Sequence, residues 1–152
     1  MGAEGLVWTL YAGAGRIAAP LARPYLARRA RRGKEDAARL GEKRGLASRP
    51  PFDAAPVWLH AVSAGESLAA LSVAERLASA ERPVLLTTAT PTAAGLVARR
   101  TGPHLVHQYA PLDAEPFVAR FLDHWRPRAA LFTESEVWPA TLFALARRGI
   151  VR

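Results

Sequence analysis

The sequence has no cysteine and a single methionine among its 152 residues. Without cysteine there is no disulfide framework, no thiolate metal ligation and no cysteine nucleophile. Histidine is nearly as scarce. His60, His104, His107 and His124 show no HExxH or comparable ligand spacing, so no metal site and no cofactor are expected. The glycine-rich fingerprints GxGxxG and GxxxxGKS of dinucleotide and phosphate-loop proteins are missing too. Acidic residues are short only in the first third of the chain. Residues 1–49 carry nine arginines and two lysines against four acids, a net +7, whereas residues 50–152 carry ten arginines against nine acids, a net +1. What is present is a half-hydrophobic, 22% charged composition that can bury a core. The length suits one domain of ~100–200 residues and leaves no room for two catalytic ones.

The basic stretch follows an apolar one, and this order points to an anionic membrane surface, with no nucleic-acid partner expected. From Gly5 to Gly15 there is no charge, and apolar character resumes through Ile17 to Ala22. A spanning helix needs about 20 predominantly apolar residues. Arg16, Pro20, Arg23 and Pro24 interrupt this one, so shallow interfacial anchoring fits better. Trp8, Tyr11 and Tyr25 are boundary-seeking side chains, and Arg28, Arg29, Arg31 and Arg32 stand directly behind them, which places residues 1–32 on the cytoplasmic face. A cleavable signal would have the opposite charge order. The competing interpretation is an amphipathic helix covering the domain's own core.

Residues 33–56 are rich in charge, glycine and proline and read as a linker with one short helix near Glu35 to Leu40. Strand and helix patterns then alternate. Val57–Val62 precedes a helix over Glu66–Ala80 with Leu68, Leu71, Val73, Ala74 and Leu77 at helical spacing. Val84–Thr88 precedes a helix capped at Thr90-Pro91. Leu105–Tyr109 precedes a helix capped by Asp113 that turns Phe117, Val118, Phe121, Leu122 and Trp125 inward. Ala129–Thr133 precedes a helix from Pro139 to Arg148. Four such units predict an α/β fold, a Rossmann-like parallel sheet with helices on both faces, over residues 57–152. Ile150-Val151-Arg152 look like the opening of a fifth strand, so a truncated domain is expected.

Ligands of open α/β sheets sit beyond the carboxyl ends of the strands. That rule singles out Ser63-Ala64-Gly65-Glu66, Thr87 to Pro91, Tyr109 to Asp113 and Glu134 to Pro139. Gly65 permits close approach of a substrate, and the helix beginning there aims free N–H groups into the crevice. Ser63-x-x-Glu66 fits a capping box, but a carboxylate at a partly desolvated strand end can also have its pKa raised and serve as a general base. Glu134 and Glu136 are either solvated loop acids or a pair of like charges around a reacting centre, with Trp138 as a wall or a core residue. The hydroxyls of Thr87, Thr88 and Thr90 can bind phosphate or sugar oxygens, although threonine is also a common strand residue.

Taken in order, the apolar and basic start, Arg32-Gly33-Lys34-Glu35, Arg39-Leu40-Gly41-Glu42-Lys43-Arg44-Gly45, Trp58 to Glu66, Leu86 to Thr92 and Glu134-Ser135-Glu136-Val137-Trp138-Pro139 resemble the N-terminal half of 3-deoxy-D-manno-octulosonic acid (Kdo) transferases of lipopolysaccharide synthesis. The resemblance implies half of a GT-B glycosyltransferase that inverts the anomeric centre without a metal ion. It implies Glu66 as general base, Glu136 as transition-state stabiliser, and Ser63, Gly65, Thr88, Thr90 and Glu134 as substrate-binding residues. It further implies the lipid A precursor (lipid IVA) as acceptor, and CMP-Kdo as a donor held mainly by a C-terminal domain lying outside this chain. The family commonly has Val at Ala64, Leu or Ile at Val137 and Asn at Ala140; the last departure leaves open any polar contact made there. Another GT-B glycosyltransferase, or a non-catalytic module for anionic lipid or nucleic acid, are the alternatives.

Overall fold

The structure is a computed structural model that describes residues 3–133, 136 and 138–152. Glu134, Ser135, Val137 and the side chain of Trp8 lie outside the described residues. Two helices come first, α1 (Ala3–Ala18) and α2 (Ala22–Arg31), joined by a 3-10 turn over Ala19–Leu21 where Pro20 cannot continue the ladder. The alternating part follows as β1 (Val57–Ala61), α3 (Ala64–Leu77), β2 (Val84–Thr88), α4 (Pro91–Val97), β3 (Leu105–Tyr109), α5 (Glu115–Trp125), β4 (Ala129–Phe132) and α6 (Pro139–Arg147).

The strands form one parallel sheet in the order β3-β2-β1-β4. Val57 faces Val84 on one side and Ala129 on the other, and Val84 faces Leu105. Both faces of β1, β2 and β3 are covered, which is why these strands are near-continuous buried runs, whereas Leu131 of β4 is exposed. On one face Leu59, Ala61 and Leu86 pack against Ala70, Leu71, Ala74 and Val97 of α3 and α4. On the other, Trp58, Leu85 and Ala130 meet Val118, Phe121, Leu122 and Trp125 of α5 and Leu145 of α6. The expected α/β class, the bounds of β2 and β3 and the inward face of α5 are therefore observed, while β1 and β4 each end one residue earlier than expected. Gly149, at φ +65°, ends α6, and Val151 then pairs in parallel beside Ala129, with the Ala130 N–H donating to its carbonyl.

Two expectations about helices need correction. The buried face of α3 is Ser67, Ala70, Leu71 and Ala74, while Leu68 and Val73 are exposed. Small side chains let this helix approach the sheet closely, so bulk was a poor guide to its facing. Asp113 does not cap α5, whose cap position is Ala114 without a side-chain bond. Its carboxylate instead accepts from the N–H groups of Ala140 and Thr141 and the hydroxyl of Thr141, closing the start of α6 from another element. Tyr11 of α1 donates to the same carboxylate at 2.9 Å, and Arg16 pairs with Glu115 at 3.0 Å. The first helix is thus stapled to the domain. Its other residues Leu10 and Ile17 are exposed, as are Leu21 and Tyr25 beyond it. Among the described residues no helix is long and apolar enough to cross a membrane.

Residues 33–56, expected to be a linker, pack as a brace along β3. Two 3-10 turns, Ala37–Arg39 and Glu42–Arg44, bury Glu42 and Lys43. Arg39 grips both carboxylate oxygens of Glu42, and the backbone N–H of Tyr109 and the hydroxyl of Ser48 complete its shell. Such a fully partnered buried acid fixes position, although it is weak support for stability by itself. Gly45 closes the second turn at φ +76°, and a β-carbon there would overlap the Phe117 carbonyl of α5. Gly45→Ala is accordingly expected to cost about 3 kcal/mol or more, combining left-handed backbone strain with a clash. Denaturant unfolding against wild type checks this, and a loss within experimental error would show that the brace shifts freely.

Candidate functional site

The sheet order reverses between β1 and β4, because α3 carries the chain from β1 to one side and α5 returns it to the other. A switch point of this kind opens a crevice at the carboxyl ends of the two strands. Ser63-Ala64-Gly65-Glu66 follows β1, and the described residues Thr133, Glu136 and Trp138 follow β4, so both stretches come off the carboxyl ends of neighbouring strands. The strand exits are tied: the N–H and hydroxyl of Thr133 both donate to the carbonyl of His60 at 3.1 Å.

Ser63 caps α3 through its hydroxyl, which accepts from the Glu66 N–H at 3.2 Å. Glu66 reciprocates: its Oε2 accepts from the N–H of Ser63 at 3.0 Å and of Val62 at 3.2 Å. The capping box is therefore formed in full. These backbone donors, chiefly that of Ser63, hold the Glu66 carboxyl below the usual carboxylate range, outweighing its partial desolvation. The expected upward shift is not what the structure shows. Backbone N–H groups favour the charged form more than this half-buried position disfavours it. Both bonds go to one oxygen, and Oε1 has no hydrogen bond among the described residues. Gly65, one residue before, faces open space: a β-carbon there would meet nothing within 4 Å.

Glu136 is exposed, two residues ahead of Trp138 at the start of α6. Trp138 stands edge-on to His60 at 5.6 Å between ring centres, and its Nε1 is buried without a partner among the described residues. It thereby joins the aromatic packing beneath the strand ends. Glu134 lies outside the described residues.

The two threonines named as substrate ligands separate. Thr90 is exposed on the rim and caps α4, accepting from Ala93 at 3.3 Å. Thr88 is fully buried, with its hydroxyl 2.9 Å from Nε2 of His107. Thr88 is the last residue of β2 and its side chain points beneath the rim, so it has no surface to offer a ligand. Thr87 is buried as well and serves as a hub, receiving Trp58 Nε1 at 2.8 Å and lying 2.8 Å from His60 Nδ1.

One rim residue escaped the sequence reading. Lys43 of the brace donates to the carbonyl of Ala89, just past β2, with its ammonium over the ring of Tyr109 and 3.6 Å from Glu35. Burial lowers its pKa against the pull of Glu35. The Gly41-Glu42-Lys43-Arg44-Gly45 run was the available signal. Two glycines around charged residues mark a tight, fixed turn more often than a tether.

A model of the 3-deoxy-D-manno-octulosonic-acid transferase (kdotransferase) family matches residues 35–151. Among curated proteins, the chain is 34% identical over 142 residues to a probable mitochondrial 3-deoxy-D-manno-octulosonic acid transferase of Arabidopsis thaliana, covering 91% of this chain and 31% of that protein. It is 38% identical over 142 residues to the 3-deoxy-D-manno-octulosonic acid transferase of Bordetella pertussis, covering 87% and 33%. With that of Rickettsia bellii it shares 31% over 118 residues, covering 76% and 28%. The chain thus spans about a third or less of the length of these relatives. No solved structure matches it significantly.

Proposed function

The chain belongs to the 3-deoxy-D-manno-octulosonic-acid transferase family, and from that premise we propose that it is the acceptor-binding half of a two-domain GT-B enzyme. The enzyme would move Kdo from CMP-Kdo to the lipid A precursor, lipid IVA, with inversion. The observation that carries this reading is the switch point between β1 and β4, where Ser63 to Glu66 leaves one strand and Thr133, bonded to the His60 carbonyl, leaves the other, beside a glycine that faces open space.

In this mechanism the second domain presents CMP-Kdo across the crevice. The acceptor's 6′-hydroxyl enters past Gly65 and is positioned by Ser63, Thr90 and Glu134. Glu66 Oε1 takes its proton while the oxygen attacks the anomeric carbon, and the bond to CMP breaks with its electron pair leaving on the phosphate. Oε2, tied to the backbone, fixes the direction of the other oxygen. Closure of the two domains would strip water from Glu66 and strengthen it as a base. Glu136 stabilises the positive charge that develops on the sugar. Residues 1–32 seat the protein on the cytoplasmic leaflet, where exposed Leu10, Ile17, Leu21 and Tyr25 meet the bilayer and the arginines its anionic surface.

Given lipid IVA and CMP-Kdo, the intact two-domain protein is expected to release CMP and form a Kdo-bearing lipid at a rate unchanged by EDTA. Mass spectrometry of the lipid reads the product. Absence of product alongside turnover of a different nucleotide sugar would transfer the site to another GT-B chemistry.

A further inference from the structure

Asp113 lies between β3 and α5, but its carboxylate serves two other elements. Pro139 opens α6 and has no N–H, so the first donors of that helix are those of Ala140 and Thr141. Both go to Asp113, at 3.0 and 2.9 Å, and the Thr141 hydroxyl adds a third bond at 2.7 Å. Trp138, which holds the cap position itself, has no side-chain oxygen and makes no cap bond. From the other side the Tyr11 hydroxyl of α1 donates to the same carboxylate at 2.9 Å and to the Asp113 carbonyl at 3.2 Å. Asp113 is held in turn by its neighbours: the Ala110 N–H donates to the Thr88 carbonyl, and the Leu112 N–H to that of Lys43 in the brace. Arg16 on Glu115 keeps α1 in place, as does the close approach of Gly15 to Ala114, where an added β-carbon would stand 3.5 Å away. The end of β3, the brace, α1 and α6 thus meet at one residue.

Glu136 belongs to the stretch between β4 and α6, and each end of that stretch is tied. At one end Thr133 bonds to the His60 carbonyl. At the other, the Leu142 N–H bonds back to the Trp138 carbonyl and Trp138 stands against the His60 ring. Among the described residues Asp113 is the side chain that bonds this helix start from outside the helix. Glu136 is exposed, so burial does not fix it. We propose that Asp113 is a positioning residue for Glu136, fixing the start of α6 four residues beyond it, with α1 contributing through Tyr11. The proposal rests on the transition-state role given above to Glu136. A charge that acts only in the transition state is sensitive to small displacements. Loss of the anchor should therefore lower kcat and leave the KM for CMP-Kdo nearly unchanged.

The test is a double-mutant cycle in the intact two-domain enzyme, with the acceptor dispersed in detergent so that seating on a bilayer does not enter. Asp113→Asn keeps the size of the side chain but replaces one acceptor oxygen by a donor, and is expected to lower kcat about tenfold. In the Glu136→Gln background the same substitution should lower it little further, because the group it positions has already lost its charge. Tyr11→Phe removes one donor to the carboxylate and no packing. It should repeat the pattern at about threefold, so a poorly folding asparagine variant leaves the test intact. Urea midpoints of each variant separate lost chemistry from lost fold. A kcat loss that persists in full in the Glu136→Gln background makes Asp113 a helix cap alone and overturns the proposal, as does an unchanged kcat in both single variants. Normal turnover of Glu136→Gln itself sinks the transition-state role of Glu136, and its positioning by Asp113 falls with it.

Discussion

Glu66→Gln in the intact two-domain enzyme is expected to slow Kdo transfer by about 10²–10⁴-fold, the usual worth of a positioned general base, while leaving the fold nearly as stable as wild type. Glutamine is the informative choice because the observed cap and the proposed base share one side chain. An amide oxygen still accepts from the N–H groups of Ser63 and Val62, so the capping box survives in large part. What the amide cannot do is take a proton. Glu66→Ala would lose both roles, with about 1 kcal/mol of helix capping confounding the comparison. The measurement is kcat for the glutamine variant beside its urea midpoint. Near-normal turnover with an intact fold would leave Glu66 as a cap and nothing more.

That duality also marks how far the sequence could be read. Ser63-x-x-Glu66 announced a helix start in residue types alone, and the structure forms both of its hydrogen bonds. β2 and β3 matched their expected bounds because each is a buried apolar run flanked by turn residues, a signal carried locally. Losses came wherever a residue's partner lies far away in the chain. Asp113 has the composition of a local cap, yet it closes α6 some 27 residues on, a choice made by the packing of α5 against α6. Thr88 and Thr90 are alike in sequence, and only the end of β2 decides that one faces His107 and the other the rim. The brace from Glu35 to Ser48 has no hydrophobic period because ion pairs and backbone donors hold it, so a search for apolar spacing passes over it. Leu68 and Val73 misled in the opposite sense. Their bulk suggested a core face that Ser67 and Ala70 occupy.

Acid is expected to unfold the domain well before its carboxylates are neutralised, through two histidines buried beneath the rim. Burial is the main cause that brings His60 down to about 4, with the charge of Lys43 adding to it and Thr87 and Glu66 opposing. Burial and the neighbouring Arg39 bring His107 down to about 3. Both folded-state values lie below the unfolded one of about 6.5, so between them the unfolded chain binds more protons than the native one. Stability is therefore complete above about pH 6.5 and is lost as the pH falls toward 4. Each histidine contributes a slope of up to about 1.4 kcal/mol per pH unit, or about 2.7 for the pair. Urea unfolding of the 152-residue chain between pH 7 and 4.5 measures it directly. The double variant His60→Gln, His107→Gln is expected to start less stable at pH 7 and to show a much shallower slope, which separates proton uptake from lost packing. A flat wild-type profile would mean that these rings are charged or solvated in the native state. The consequence reaches the site, because the two rings lean on Thr87 and Thr88 at the end of β2, and His60 also bears on Trp138 and accepts, through its carbonyl, the bonds that tie β4 to β1. Protonating them opens the crevice at its floor, so activity should fall with the same pH dependence as stability and ahead of any titration of Glu66, whose carboxyl is held lower than usual.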